Sequence, residues 1–147
     1  MYCLAERHLS AIQKAIQSAH AVVEYGLTYG DTPEYKQWAE KDKTLIVLEG
    51  GNSIDLEAII QQLTFEGCSF ETFYEPDMDN FMTAIALVAD ERVFDYKTYG
   101  KSYEDYQKLC ERDCDLPKWT YEEWVNAIGG RQNEIIKSIV SNCKLAI

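Results

Sequence analysis

Ser10-Ala11-Ile12-Gln13-Lys14-Ala15-Ile16-Gln17-Ser18-Ala19-His20-Ala21-Val22-Val23 is the run on which the fold turns. It opens with a capping box: Ser10 at the N-cap and Gln13 three residues on. Apolar residues follow at Ile12, Ala15, Ile16, Ala19, Val22 and Val23. That spacing predicts one buried helical face, with Gly26 as the stop. Gln13, Gln17, His20 and Glu24 fall on one side of the same helix, forming a polar stripe beside the apolar one.

Working outward, Met1 to Glu6 is short and mostly apolar and reads as a first strand. Residues 27–43 form a polar connection containing Pro33 and Trp38. Thr44 to Glu49 is a nearly continuous apolar run, as in a central strand covered on both faces. Gly50-Gly51-Asn52-Ser53 is a turn and helix cap without the lysine of a phosphate-binding loop. Leu56, Ile59, Ile60 and Leu63 mark a second amphipathic helix that Gly67 closes. Cys68 to Tyr74 reads as a third strand, Glu75 to Asn80 as a turn and Phe81 to Ala89 as a fourth strand. The expected fold class is α/β, in the order β-α-β-α-β-β. A mixed four-stranded sheet with packed helices follows, because strand-helix-strand crossings make parallel pairs and a short turn makes a hairpin.

From residue 91 the texture changes. Tyr96, Tyr99, Tyr103 and Tyr106 recur at helical intervals, and Thr120 to Glu123 is a further capping box. Gly129-Gly130 breaks that helix, and Ile135, Ile136, Ile139 and Val140 mark the last one. The organisation read from the sequence is an α/β domain over 1–90 and a helical extension over 91–147 packed on it. The extension's aromatic residues read first as packing, since no basic groove accompanies them.

The chain has 147 residues and a net charge of −11, and the deficit is local. Residues 1–30 balance to zero, whereas 51–90 hold eight acids and no Lys or Arg. Such a segment repels phosphates. It serves either as a solvated face or as a docking surface for a basic protein. No stretch is long and apolar enough to span a bilayer, and the start lacks the layout of a signal peptide. Five scattered cysteines suit free thiols, so the expected compartment is the cytoplasm. Glu75, Asp77 and Asp79 lack a full calcium-loop pattern, and Cys110 with Cys114 lacks the partners of a zinc site. No metal or cofactor is expected, and nothing indicates an oligomeric state.

The run from Ile12 to Ala21 resembles the first-helix signature of the type 2 peptidyl-tRNA hydrolases. Gln17 and His20-Ala21 match that family's spacing, and Thr83-Ala84-Ile85-Ala86-Leu87 looks like its threonine-led final strand. The turn holding Asp77 occupies the place of the loop that carries the family's acid. The resemblance spans residues 1–90. Counting back from His20, the family's lysine position falls on Gln13, with Lys14 one residue on. The Tyr-Glu-Pro-Asp turn leading into Thr-Ala-Ile-Ala is also similar to small bacteriophage-encoded proteins, for which the compartment is the host cytoplasm.

What the resemblance implies is hydrolysis of an acyl ester at the tRNA 3′ end. Asp77 would orient or activate water, Lys14 and Gln17 would hydrogen-bond the carbonyl oxygen or the terminal ribose, and Thr83 would anchor the acyl chain or the water. Gln13 and His20 would support substrate binding or packing. The alternative is a catalytically degenerate relative, an accessory or inhibitory protein that docks on a host or partner protein through the acidic 51–90 surface.

Overall fold

The computed structural model describes residues 1–146. The chain divides into two compact units, one of Met1–Val88 together with the residues from Cys143 onward, the other of Ala89–Asn142.

The first unit is an α/β layer structure. Strand β1 (Tyr2–Glu6) leads into α1 (Ala11–Tyr29) and α2 (Pro33–Gln37), followed by a π-helical turn at Trp38–Asp42. Then come β2 (Ile46–Gly51), α3 (Ser53–Phe65), β3 (Glu71–Glu75), a 3-10 turn at Pro76–Met78 and β4 (Phe81–Leu87). A two-residue strand, β5 (Lys144–Leu145), returns to the sheet at the end of the chain. The strand order is β3-β4-β1-β2-β5. β1 and β2 are parallel; β4 runs antiparallel to β1, β3 to β4, and β5 to β2. The mixed sheet and the hairpin are as expected. The count of four strands is corrected to five, because two residues leave no periodic signal.

The connection 27–43 is corrected too: it is largely helical. α1 runs through Gly26 to Tyr29. A Cβ on Gly26 would sit 2.7 Å from the Tyr35 hydroxyl oxygen, so this glycine serves close packing rather than a helix stop. Thr32 caps α2 through the Tyr35 N–H, with Pro33 in its first turn.

The largest departure is the orientation of α1. The apolar face read from Ile12 to Val23 does not turn inward. The buried residues are instead Lys14, Gln17, Ser18, Ala21 and Tyr25, while Ile12, Ile16 and Val23 stand exposed. The reason lies in what α1 covers. The fully buried strand residues of the core beneath its C-terminal half are small: Cys3, Ala84 and Ala86, with Tyr25, Tyr29 and Tyr35 packed with them. Its N-terminal half meets polar strand residues: Glu49, Glu75 and Thr83.

Side chains alternate along a strand. Cys3 therefore faces α1, while Leu4 faces the other side of the sheet. There Gly50 lies against both Leu4 and Leu56 of α3: a Cβ on Gly50 would sit 2.5 Å from Leu56 Cδ2 and 3.0 Å from Leu4 Cβ. Thus α1 and α3 cover opposite faces, which explains why β1 is buried throughout.

The second unit holds α4 (Tyr96–Tyr99), α5 (Tyr103–Arg112), α6 (Tyr121–Ala127) and α7 (Arg131–Asn142). The tyrosines and tryptophans read as packing do pack. Tyr106, Trp124 and Ile128 form a core flanked by Tyr99, Tyr103 and Trp119. The Trp124 indole N–H donates to the Tyr99 carbonyl at 2.9 Å. Lys137 is buried; its Nζ donates to the Val93 carbonyl at 2.9 Å and lies 4.7 Å from the Tyr96 ring centre. Burial lowers its pKa to about 8, partly opposed by Asp95. Among the described residues no helix is long and apolar enough to cross a membrane.

Truncating a residue of α3 that seals the sheet should cost far more than truncating its exposed neighbour. Leu56→Ala is expected to lose about 2–5 kcal/mol, and Ile54→Ala no more than about 0.5 kcal/mol. Urea unfolding followed by circular dichroism measures both. Equal midpoint shifts would refute the assigned face of α3.

Candidate active site

The three parallel strands of the first unit each carry a glutamate at or near their C-terminal ends: Glu6 on β1, Glu49 on β2 and Glu75 on β3. Parallel neighbours β1 and β2 send their following helices to opposite faces. The crevice beyond the strand ends at such a switch point is where open α/β sheets bind ligands. Antiparallel β4 begins at this same edge, bringing Thr83 there.

Two irregularities in the sheet shape this edge. On β2, Ala5 pairs with Glu49 but Glu6 pairs with Gly51, so Gly50 is left over. On β4, Phe73 pairs with Ala84 but Tyr74 pairs with Met82, so Thr83 is left over. Strict alternation would point Thr83 away from the face that Ala84 and Ala86 present to α1. The bulge re-aims it towards the helix. Gly51 has φ +93°, and a Cβ there would meet the Asp55 side chain at 2.5 Å. Asp55 is occupied in the capping box with Asn52 that starts α3.

Lys14, Gln17 and Thr83 are buried, at 4, 6 and 0 % exposure. Lys14 Nζ donates to Glu49 Oε1 at 2.6 Å; the lysine side chain is almost fully enclosed, and the glutamate keeps about a third of its surface in solvent. The hydrogen bond and charge of Lys14 hold the Glu49 carboxyl below its ordinary value. Gln17 Nε2 donates to Glu75 Oε2 at 2.6 Å, and the Thr83 hydroxyl donates to Gln17 Oε1 at 2.9 Å. A carboxylate only accepts, so the Gln17 NH₂ must face Glu75 and its oxygen must face Thr83. The Phe73 carbonyl, 3.3 Å from the same hydroxyl, is the weaker acceptor. Glu75 also caps the 3-10 turn by accepting from the Asp77 N–H at 3.4 Å.

The four-residue polar stripe is thereby taken apart. Gln13 is exposed and spent on the capping box: its Oε1 accepts from the Ser10 N–H at 3.0 Å. His20 is exposed and stacks on Phe73, with ring centres 4.6 Å apart and planes 17° apart. Only Gln17 of the stripe's first three residues joins the buried network. Lys14, from outside the stripe, turns inward with the helix start at Ala11 unaltered. Asp77 lies in the exposed turn; its backbone touches Glu75, and its carboxylate makes no hydrogen bond among the described residues.

Glu49 escaped the sequence reading, and Glu75 entered it only as part of an acidic turn. The signal was present: an acid at or near the end of each of three strands. Glu6 is buried too, but His8 occupies it, with the backbone N–H and Nδ1 each 2.7 Å from its oxygens. No three His, Cys, Asp or Glu side chains converge as a metal site among the described residues.

The edge thus offers an enclosed ammonium, an oriented amide, a hydroxyl and two carboxylates, Glu49 and Glu75, with access to solvent. Such a set can bind a polarised oxygen and hold a water. No family model and no curated protein matches the chain.

Lys14→Met should return the Glu49 carboxyl towards its ordinary value of 4.5. Because pairing depresses that pKa, its stabilising contribution is present above the unfolded value and is lost as pH falls through the folded one. A carbon-detected NMR titration of Glu49 reads both. An identical titration curve in the variant would show that Lys14 does not hold it.

Proposed function

We propose that this chain is an esterase of the peptidyl-tRNA hydrolase type, cleaving an acyl ester at the tRNA 3′ end. The observation that carries the reading is the inward turn of the polar side of α1, with Lys14 and Gln17 enclosed where an apolar face would pack more easily. Thr83 meets Gln17 from a bulge. The family resemblance matches Gln17 and the threonine-led strand at Thr83, and puts its lysine at position 13, one residue before Lys14.

In this mechanism the Lys14 ammonium, steadied by Glu49, donates to the ester carbonyl oxygen as negative charge builds there. Asp77, two residues past Glu75 in the exposed turn, takes a proton from the attacking water in this reading. The water oxygen bonds to the acyl carbon. The bond from that carbon to the ribose 3′ oxygen then breaks, and the 3′ oxygen leaves with the proton that Asp77 took from the water. The products are a free acyl acid and tRNA. Gln17 and Thr83 are positioning residues, fixing each other and Glu75.

The second reading is a non-catalytic protein that docks through the acidic 51–90 segment. Its support is the segment from Tyr74 to Phe81, where Tyr74, Met78 and Phe81 stand exposed among Asp77 and Asp79. Acid and aromatic surface without a cation suits a basic protein better than a phosphate backbone.

One assay separates the two. Pure protein incubated with an N-blocked aminoacyl-tRNA should release the acyl group, and Lys14→Met and Asp77→Asn should each lower kcat/KM by about a hundredfold or more. No release at micromolar protein would end the esterase reading. Capture of a basic protein that is lost when acids in 51–90 are neutralised would then favour the docking reading.

A further inference from the structure

The inward turn of α1 leaves its apolar side uncovered. Ile12, Ile16, Val23 and Leu27 are 74, 48, 59 and 77 % exposed, and Ala15 and Ala19 between them are exposed as well. At 100° per residue Ile12, Ile16, Ala19, Val23 and Leu27 fall within an arc of about 80°. From Ile12 to Val23 the steps of four, three and four residues are those of a coiled-coil seam. The stripe presents roughly 500 Å² of apolar surface, near the top of what a monomer exposes in one patch.

We propose that α1 pairs antiparallel with α1 of a second copy of this chain. Three observations select that occupant. The first is self-complementarity. About a two-fold axis beside Ala19, Ile12 lies over Leu27 and Ile16 over Val23, so each large residue meets a large one. The alanine at the crossing lets the helices approach to about 8 Å.

The second is charge. The chain carries −11 in all, and two copies repel wherever their acids face. Along α1 the charged residues are Lys14, buried against Glu49, and Glu24, half-buried off the stripe. A charge-free seam is what a second copy of an acidic chain requires. A basic partner would find no acid there, and an anionic membrane would find no flanking cations.

The third is area. Two such stripes bury on the order of 1,000 Å² together, the lower bound of a specific interface. Antiparallel packing also sets the two helix dipoles in opposition.

Sedimentation equilibrium of the full chain should give a mass twice the 16.9 kDa of one copy at micromolar concentration. Ile16→Glu puts an acid near the dyad of both copies and should raise the dimer dissociation constant at least tenfold without changing the circular dichroism spectrum. Ala19→Cys should cross-link under mild oxidant in a way the parent chain does not. A parent chain that sediments as one copy up to high micromolar concentration overturns the proposal. So does an Ile16→Glu variant that remains a dimer. Loss of fold in Ile16→Glu, with a monomeric parent, would show that the chain itself covers the stripe.

Discussion

The enclosure of Lys14 beside Glu49 is the constraint from which the rest of the first unit follows. An ammonium taken out of water needs a partner placed within hydrogen-bond reach, because an uncompensated buried charge is among the most destabilising things a fold can hold. Glu49 supplies it from the C-terminal end of β2, on the face that register assigns to α1. Once Lys14 is fixed, 3.6-residue periodicity commits the helix. Gln17, Ser18, Ala21 and Tyr25 must follow it inward, and Ile12, Ile16 and Val23 must face out. The Lys14–Glu49 contact, with the Gln17 hydrogen bonds to Glu75 and Thr83 beside it, therefore sets the rotation of a 19-residue helix against its hydrophobic periodicity.

That rotation is tolerable only because the sheet is shaped for it. Alanine and cysteine on β1 and β4 leave depth for the tyrosines at the far end of α1, and bulges at Gly50 and Thr83 tune the near end. The Gln17 amide joins Thr83 to Glu75, satisfying a buried hydroxyl and orienting a carboxylate in one chain of hydrogen bonds. The Ser18 hydroxyl is the leftover: buried, with no partner among the described residues. Its cost is one the helix bears by facing inward on this side.

How much of this was legible in the sequence depends on which signal was local. The capping boxes at Ser10 and Thr120 act between residues three apart, and both form as read. The strands read at Thr44 to Glu49 and Phe81 to Ala89 declared themselves by continuous hydrophobicity and form at Ile46–Gly51 and Phe81–Leu87. The rotation of α1 did not declare itself, because it is decided by Glu49, Glu75 and Thr83, which carry no periodic mark and lie far along the chain from their partners: Lys14 to Glu49 is 35 residues, Gln17 to Glu75 is 58 and Gln17 to Thr83 is 66. The Thr83 bulge was equally invisible, since strict alternation predicts the opposite face. The resemblance named Lys14, Gln17 and Thr83 without a geometry to join them. It also drew attention to Gln13, whose side chain is committed to the helix cap.

A local rule broken at one place and kept elsewhere is informative. In the helical unit the aromatic residues expected to pack do pack, and the helix caps fall where the residue types predict. In the first unit the conflict between pattern and packing falls on α1 and on the Thr83 bulge it meets, and concentrates at one edge of the sheet. Folds accumulate such conflicts where binding or chemistry demands them, because nothing in stability alone rewards enclosing a lysine while exposing three β-branched residues. The same inversion has two outcomes that need no separate cause. It builds a polar site on the inner side of the helix and leaves an uncharged apolar seam on the outer side. A chain that gains the first is left with the second, and a second copy is the partner that could turn that exposed surface into stability.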